Sequence, residues 1–213
     1  MGQTKDCDYM IDSLYNNLKD VLAMTWPILV VSILLLVSLR LTYLLKYNKK
    51  ILIYKEIYLL FFAVYILCLF QVVTSQDINM LKGNNFVPFV EIFRYEIGGR
   101  LFVKNIVGNV VMFIPYGFFI SKYISSKKMW INMFLIFLAS ISIECTQLII
   151  GRVFDVDDII LNVFGGFLGF LIYVMIDKIY SKLPKCFKTK IFLNTFSIIL
   201  LITVILGIFM IMM

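Results

Sequence analysis

Residues 139–170 read ASISIECTQLIIGRVFDVDDIILNVFGGFLGF. A carboxylate (Glu144) and an amide (Gln147) stand inside a run apolar enough to cross a bilayer. An acidic turn (Asp155, Asp157, Asp158) follows, and the next apolar run opens with Asn162 and the glycines 165, 166 and 169. An ionisable group at membrane depth costs roughly 2.5–3.5 kcal/mol on insertion scales, so the segment predicts a polar site where two transmembrane helices meet.

The surrounding chain supports that reading. It has 213 residues, 62% of them hydrophobic, with mean hydropathy +0.94. Such a composition defines an all-α, polytopic integral membrane bundle. A span needs about 20 apolar residues, and six stretches qualify: Val21–Leu45, Tyr54–Val73, Asn105–Lys122, Met129–Ile150, Ile159–Ile176 and Ile191–Met213. The third and fifth are expected to be short or kinked, the third at Pro115. Residues 21–213 read as a single transmembrane domain. Residues 1–20 read as an extracytoplasmic tail, with Met10, Leu14, Leu18 and Val21 at the spacing of an amphipathic helix rather than a signal peptide.

Lysines set the expected orientation. They crowd three connections, around 46–55, 122–128 and 178–190, which alternate with poorer or acidic ones. The positive-inside rule puts these three connections in the cytoplasm and both termini outside. The formal charge of +7 then reflects topology and contact with anionic membrane lipids, not nucleic acid. Four cysteines without a CxxC pair and a complete lack of histidine exclude imidazole catalysis, His-ligated zinc and His-ligated haem. No nucleotide-binding glycine loop is present. Cys68 and Cys145 fall at similar outer depth. Trp26, Tyr43 and Trp130 fit interfacial belts.

With this orientation, unusual polar groups from three helices share the outer third of the membrane. Ser140, Glu144, Gln147 and Gly151 fall on one helical face. Asp155, Asp158, Asn162, Gly165 and Gly169 fall on another, where the GxxxG pair permits close helix approach. Asn105, Gly108, Asn109 and Met112 fall on a third, just after Arg100. The expected ligand-binding set is therefore Arg100, Asn105, Asn109, Glu144, Gln147, Arg152, Asp155, Asp158 and Asn162. Glu144, Asp155 and Asp158 are also the candidates for catalysis or for binding a divalent cation through oxygen ligands. The plainer alternatives are that the aspartates cap the fifth helix, Asp157 above all, and that Glu144 and Gln147 join helices.

Three stretches carry a family resemblance: Asn85-Phe-Val-Pro88-Phe89; Asn105 through Gly108, Asn109, Phe113 and Pro115 to Gly117; and Ser142 through Glu144, Gln147, Arg152, Asp155, Asp158 and Asn162 to Gly166. Together they make residues 59–176 resemble the VanZ-like family, named for a teicoplanin-resistance protein of glycopeptide-resistant bacteria. The resemblance implies a protein of the bacterial cell membrane that lowers susceptibility to teicoplanin-type lipoglycopeptides. The expected partners are membrane lipids and, at an outward-facing pocket, a lipid-linked cell-wall precursor or the lipoglycopeptide itself. The alternatives are a membrane enzyme acting on a lipid-linked phosphate or glycolipid, and a small transporter or flippase.

Overall fold

A computed structural model of the chain describes residues 26–75, 83–96, 99–125 and 127–212. The expected amphipathic helix of the N-terminal tail lies outside the described residues. Helices dominate: α1 Trp26–Lys46, α2 Ile53–Ser75, α3 Val90–Arg94, α4 Arg100–Phe102, a π-helical segment Val103–Val107, α5 Gly108–Ile124, α6 Met129–Ile149, α7 Val156–Lys182, a 3-10 turn Lys185–Lys188 and α8 Lys190–Met212. Among the described residues, six helices are long and apolar enough to cross a membrane. The protein is an all-helical, multi-pass membrane protein, as its composition requires.

Chain contacts divide the described residues into two compact units, one within 72–182 and one of residues 26–71 with 183–212. In the first, α7 packs on both α5 and α6. Glycine makes the α5–α7 approach feasible. A Cβ at Gly165 would strike the Val110 carbonyl, one at Gly169 the Ile114 carbonyl, and one at Gly117 the Gly166 backbone. Gly166 points elsewhere, against the Ile136 side chain of α6. Two faces of one helix thus use the same glycine run, and backbones meet as small-residue seams in membranes allow.

Two expectations about helix shape need correction. The fifth span is not short: α7 runs 27 residues without a break, because its glycines pack against neighbours instead of interrupting it and because Asp155 starts it before the apolar run. The third span is interrupted, but not at Pro115, which lies inside a continuous α5. The irregularity is the π-helical turn upstream, where the Gly108 N–H donates to the Val103 carbonyl. A proline within a membrane helix is tolerated where neighbours resatisfy the backbone.

In the other unit, α1 and α2 are tied by the Arg40–Glu56 pair, with Nε 2.8 Å from Oε2 and Nη2 3.2 Å from Oε1. The Tyr54 N–H donates to Asn194 Oδ1 of α8 at 3.1 Å. Cys68 of α2 and, in the first unit, Cys145 of α6 are both free thiols.

Candidate functional site

The site is built by a loop that folds back after α6. That helix ends in a Schellman arrangement: Gly151 takes the left-handed conformation, φ 85°, while the Gly151 N–H donates to the Leu148 carbonyl and the Arg152 N–H to the Gln147 carbonyl, at 3.1 and 2.9 Å. The reversed chain then pairs with the Asn85 segment. The Asn85 N–H donates to the Phe154 carbonyl at 2.9 Å, and the Val156 N–H donates to the Asn85 carbonyl at 3.1 Å. Asn84 Oδ1 accepts from the Phe154 N–H at 3.0 Å, and the Phe86 and Phe154 rings stack 5.5 Å apart.

Each aspartate of the acidic turn has a different task. Asp155 Oδ1 accepts from the Asp157 N–H, capping α7, and from Asn85 Nδ2, both at 2.9 Å. Asp157 does not cap its own helix, contrary to expectation. Its carboxylate is fully buried and caps α3, accepting from the backbone N–H groups of Phe89, Glu91 (2.7 Å) and Ile92 (3.2 Å). The α3 amides are there to be met because the chain reaches α7 through the Asn85 pairing. Asp158 Oδ1 accepts from Asn109 Nδ2 of α5 at 2.6 Å. Burial holds the Asp155 carboxyl above its ordinary range, opposed chiefly by the hydrogen bond from the Asp157 N–H.

These groups enclose a polar cavity of about 140 Å³. Asn105, Asn109, Arg152, Asp155 and Asp158 all line it, together with Asn85, Glu91, Tyr95, Lys104 and Asp157. The π-helical turn delivers Lys104 and Asn105 to its wall. Asn105 Nδ2 donates to the Tyr95 hydroxyl at 2.9 Å, and that hydroxyl donates to Glu91 Oε2 at 3.2 Å. π-Bulges are frequent at functional sites because the extra residue re-aims side chains.

Glu144 and Gln147 are not in the lining. They form a buried layer behind it. Glu144 Oε2 accepts from the Asp155 N–H at 3.1 Å. With its amide oriented to suit both neighbours, Gln147 donates to Glu144 Oε1 at 2.8 Å and accepts from the Arg152 guanidinium. Arg152 Nη1 also donates to the Val73 carbonyl at 2.7 Å. Glu144 therefore holds the acidic turn while Gln147 links it to Arg152. Asn162 lies deeper still, donating from Nδ2 to Ser140 Oγ at 3.1 Å. The Arg100 backbone opens α4; its side chain lies outside the described residues. Glu144, Asp155 and Asp158 do not close on one point, and among the described residues no three carboxylate or thiol groups gather as a metal-holding set.

Glu91, Tyr95 and Lys104 line the cavity although composition and spacing did not mark them. Asn85 was visible only as the head of the Asn85–Phe89 motif. Tyr95 and Glu91 sit in a polar segment whose return to the helices no periodicity announces.

Fold and site together define a multi-pass membrane protein in which glycine-packed helices carry a loop-closed polar cavity. A family model described as VanZ/LLP1 matches residues 56–177, more than half of the chain, and the protein belongs to that family. No curated protein and no solved structure matched the chain.

Proposed function

We propose that this VanZ/LLP1 protein engages the polar part of a lipid-linked or acyl-tailed envelope molecule in its cavity, and so lowers susceptibility to teicoplanin-type lipoglycopeptides. One observation carries the reading: side chains from the π-helical turn, α5, the reversed loop and α7 converge on one polar volume, Asn109 bonded directly to Asp158. Desolvated polar groups at membrane depth are costly and are retained where they act on something. Asp155 and Asp158 would take ammonium or hydroxyl donors. Lys104 and Arg152 would meet phosphate or carboxylate, Arg152 in the planar geometry suited to two oxygens. Asn105 and Asn109 would bond sugar or amide groups. The Glu144–Gln147 layer keeps the loop in place and does not touch the ligand.

The lysine pattern supports a position of the cavity at the outer leaflet, where an acyl-tailed antibiotic or a lipid-linked precursor would be met. A reporter fused after Lys50 is accordingly expected in the cytoplasm; activity of an external reporter there would reverse the orientation. The functional test is teicoplanin susceptibility of cells making Asp158→Asn or Asn109→Ala at protein levels matched to the parent chain. Both variants should lose protection. Full protection by both would reject the cavity as the working site.

A further inference from the structure

Charge is distributed unevenly. In the unit that contains α1, α2 and α8, the described residues carry eight Lys and Arg side chains and one acidic one, Glu56. Glu56 is already engaged by Arg40. Four of the lysines lie between 46 and 55 and three between 185 and 190. The Tyr54–Asn194 hydrogen bond puts the first turns of α8 beside the start of α2, so both lysine groups collect at one end of the unit. The lysines at 46, 49, 50 and 55 are all exposed.

At that same end, α1 and α2 leave between them a groove of about 470 Å³. Its walls are almost wholly hydrocarbon, among them Leu36, Leu39, Leu60 and Ala63, and Arg40 and Glu56 also line it. The volume is in the range of small-ligand sites, yet the walls offer almost nothing for a polar ligand to bond. A second copy of the chain would bring an equally cationic end alongside in the same membrane plane, and like charges oppose that pairing.

We infer that the groove between α1 and α2 seats the acyl chain of an anionic phospholipid whose phosphate lies among the lysines of residues 46–55. Hydrocarbon packs against hydrocarbon, and the headgroup meets lysines that, among the described residues of the unit, face one acid, itself paired with Arg40. A basic rim over an apolar inter-helix groove is the combination that selects anionic over zwitterionic lipids. The site shares no residue with the polar cavity and does not depend on the function proposed for it.

The test is native mass spectrometry of the detergent-purified full chain, titrated with phosphatidylglycerol or phosphatidylcholine of identical acyl chains. At about 1 kcal/mol per lysine near an anionic headgroup, the parent chain should retain phosphatidylglycerol at least about tenfold more tightly. The triple variant Lys49→Gln, Lys50→Gln, Lys55→Gln should lose that preference while still holding both lipids weakly. Ala63→Phe, which fills the groove, should weaken retention of both. If Ala63→Phe does not fold, Leu36→Phe serves the same purpose. Equal retention of the two lipids by the parent chain would overturn the inference, as would a preference that survives the triple variant or phosphatidylglycerol retention that survives groove filling.

Discussion

Helices α7 and α8 are both long, apolar and free of charge through their centres, yet they are used in opposite ways. Of the most apolar 18 residues of α7, 44% are buried; of those of α8, none are. Hydrophobicity does not separate them, because lipid tails are as apolar as leucine and provide no drive to associate. The difference lies in small and polar residues. α7 has Gly165, Gly166 and Gly169, each against a neighbouring backbone or side chain, and buried Asp157 and Asn162. α8 has Gly207 with nothing within 4 Å of where a Cβ would stand.

The most damaging way to probe that contrast is to exchange the glycines. Gly165→Leu or Gly169→Leu forces a side chain into the α5 backbone, which cannot yield as a flexible side chain would. The expected cost is about 3 kcal/mol or more, read as loss of monodisperse protein after detergent extraction. Gly207→Leu should leave yield and melting temperature unchanged. If all three variants behaved alike, packing on glycine would not be what distinguishes the two helices.

A smaller effect separates the carboxylates. Asp157 and Glu56 each hold two segments together, but Asp157 is buried against three backbone donors, while Glu56 pairs with a half-exposed arginine. Truncating a buried charged acceptor strands donors at about 1–3 kcal/mol. An exposed ion pair is worth about 0–1 kcal/mol. Asp157→Ala should therefore speed amide hydrogen exchange at Phe89, Glu91 and Ile92 severalfold, and Glu56→Ala should leave exchange at its own helix nearly unchanged. Unaltered exchange at residues 89–92 would remove Asp157 from its capping role.

The same contrast explains what could be read from the chain alone. The spans follow from apolar length, and the faces of α6 and α7 follow from helical spacing. Ser140, Glu144 and Gln147 accordingly fall on one buried face of α6, and Asn105, Asn109, Asp155 and Asp158 line one cavity. Spacing within a helix says nothing about loops that return to it. The pairing of Asn85 with Asp155, and with it the assignment of Asp157 to α3, needs the path of residues 83–89. The π-helical turn escapes notice because its residues are as apolar and as polar as those of an ordinary helix start. Nor does spacing reveal that Glu144 accepts from the Asp155 N–H and the Gln147 amide behind the cavity wall.

Behind the cavity, the Asn162–Ser140 pair sharpens the comparison at a finer scale. It is a polar bond between α7 and α6, with Asn162 Oδ1 left without a partner. Interhelical bonds of this kind average about 0.6 kcal/mol in membranes. A double-mutant cycle of Ser140→Ala and Asn162→Ala, followed by thermal melting, should give a coupling of about that size. A coupling several times larger would mean that the pair, more than the glycines, fixes α6 against α7.

The smallest expected effect concerns Asp155, the acid at the boundary between loop and helix. Its burial disfavours the charged form, so the folded chain holds the proton to a higher pH than the unfolded chain does. Below its ordinary titration range both states carry the proton and the folded state gains nothing relative to that reference. As pH rises from there, the unfolded state ionises first and is favoured by doing so, which lowers stability until the folded carboxyl ionises too; above that point the loss is constant. Asp155→Asn removes this contribution. The melting temperature of the parent chain should therefore fall slightly more than that of Asp155→Asn as pH is raised from 4 toward neutrality. Parallel curves would show that the hydrogen bonds from the Asp157 N–H and Asn85 cancel the effect of burial, and that the acidic turn is as well satisfied when charged as when neutral.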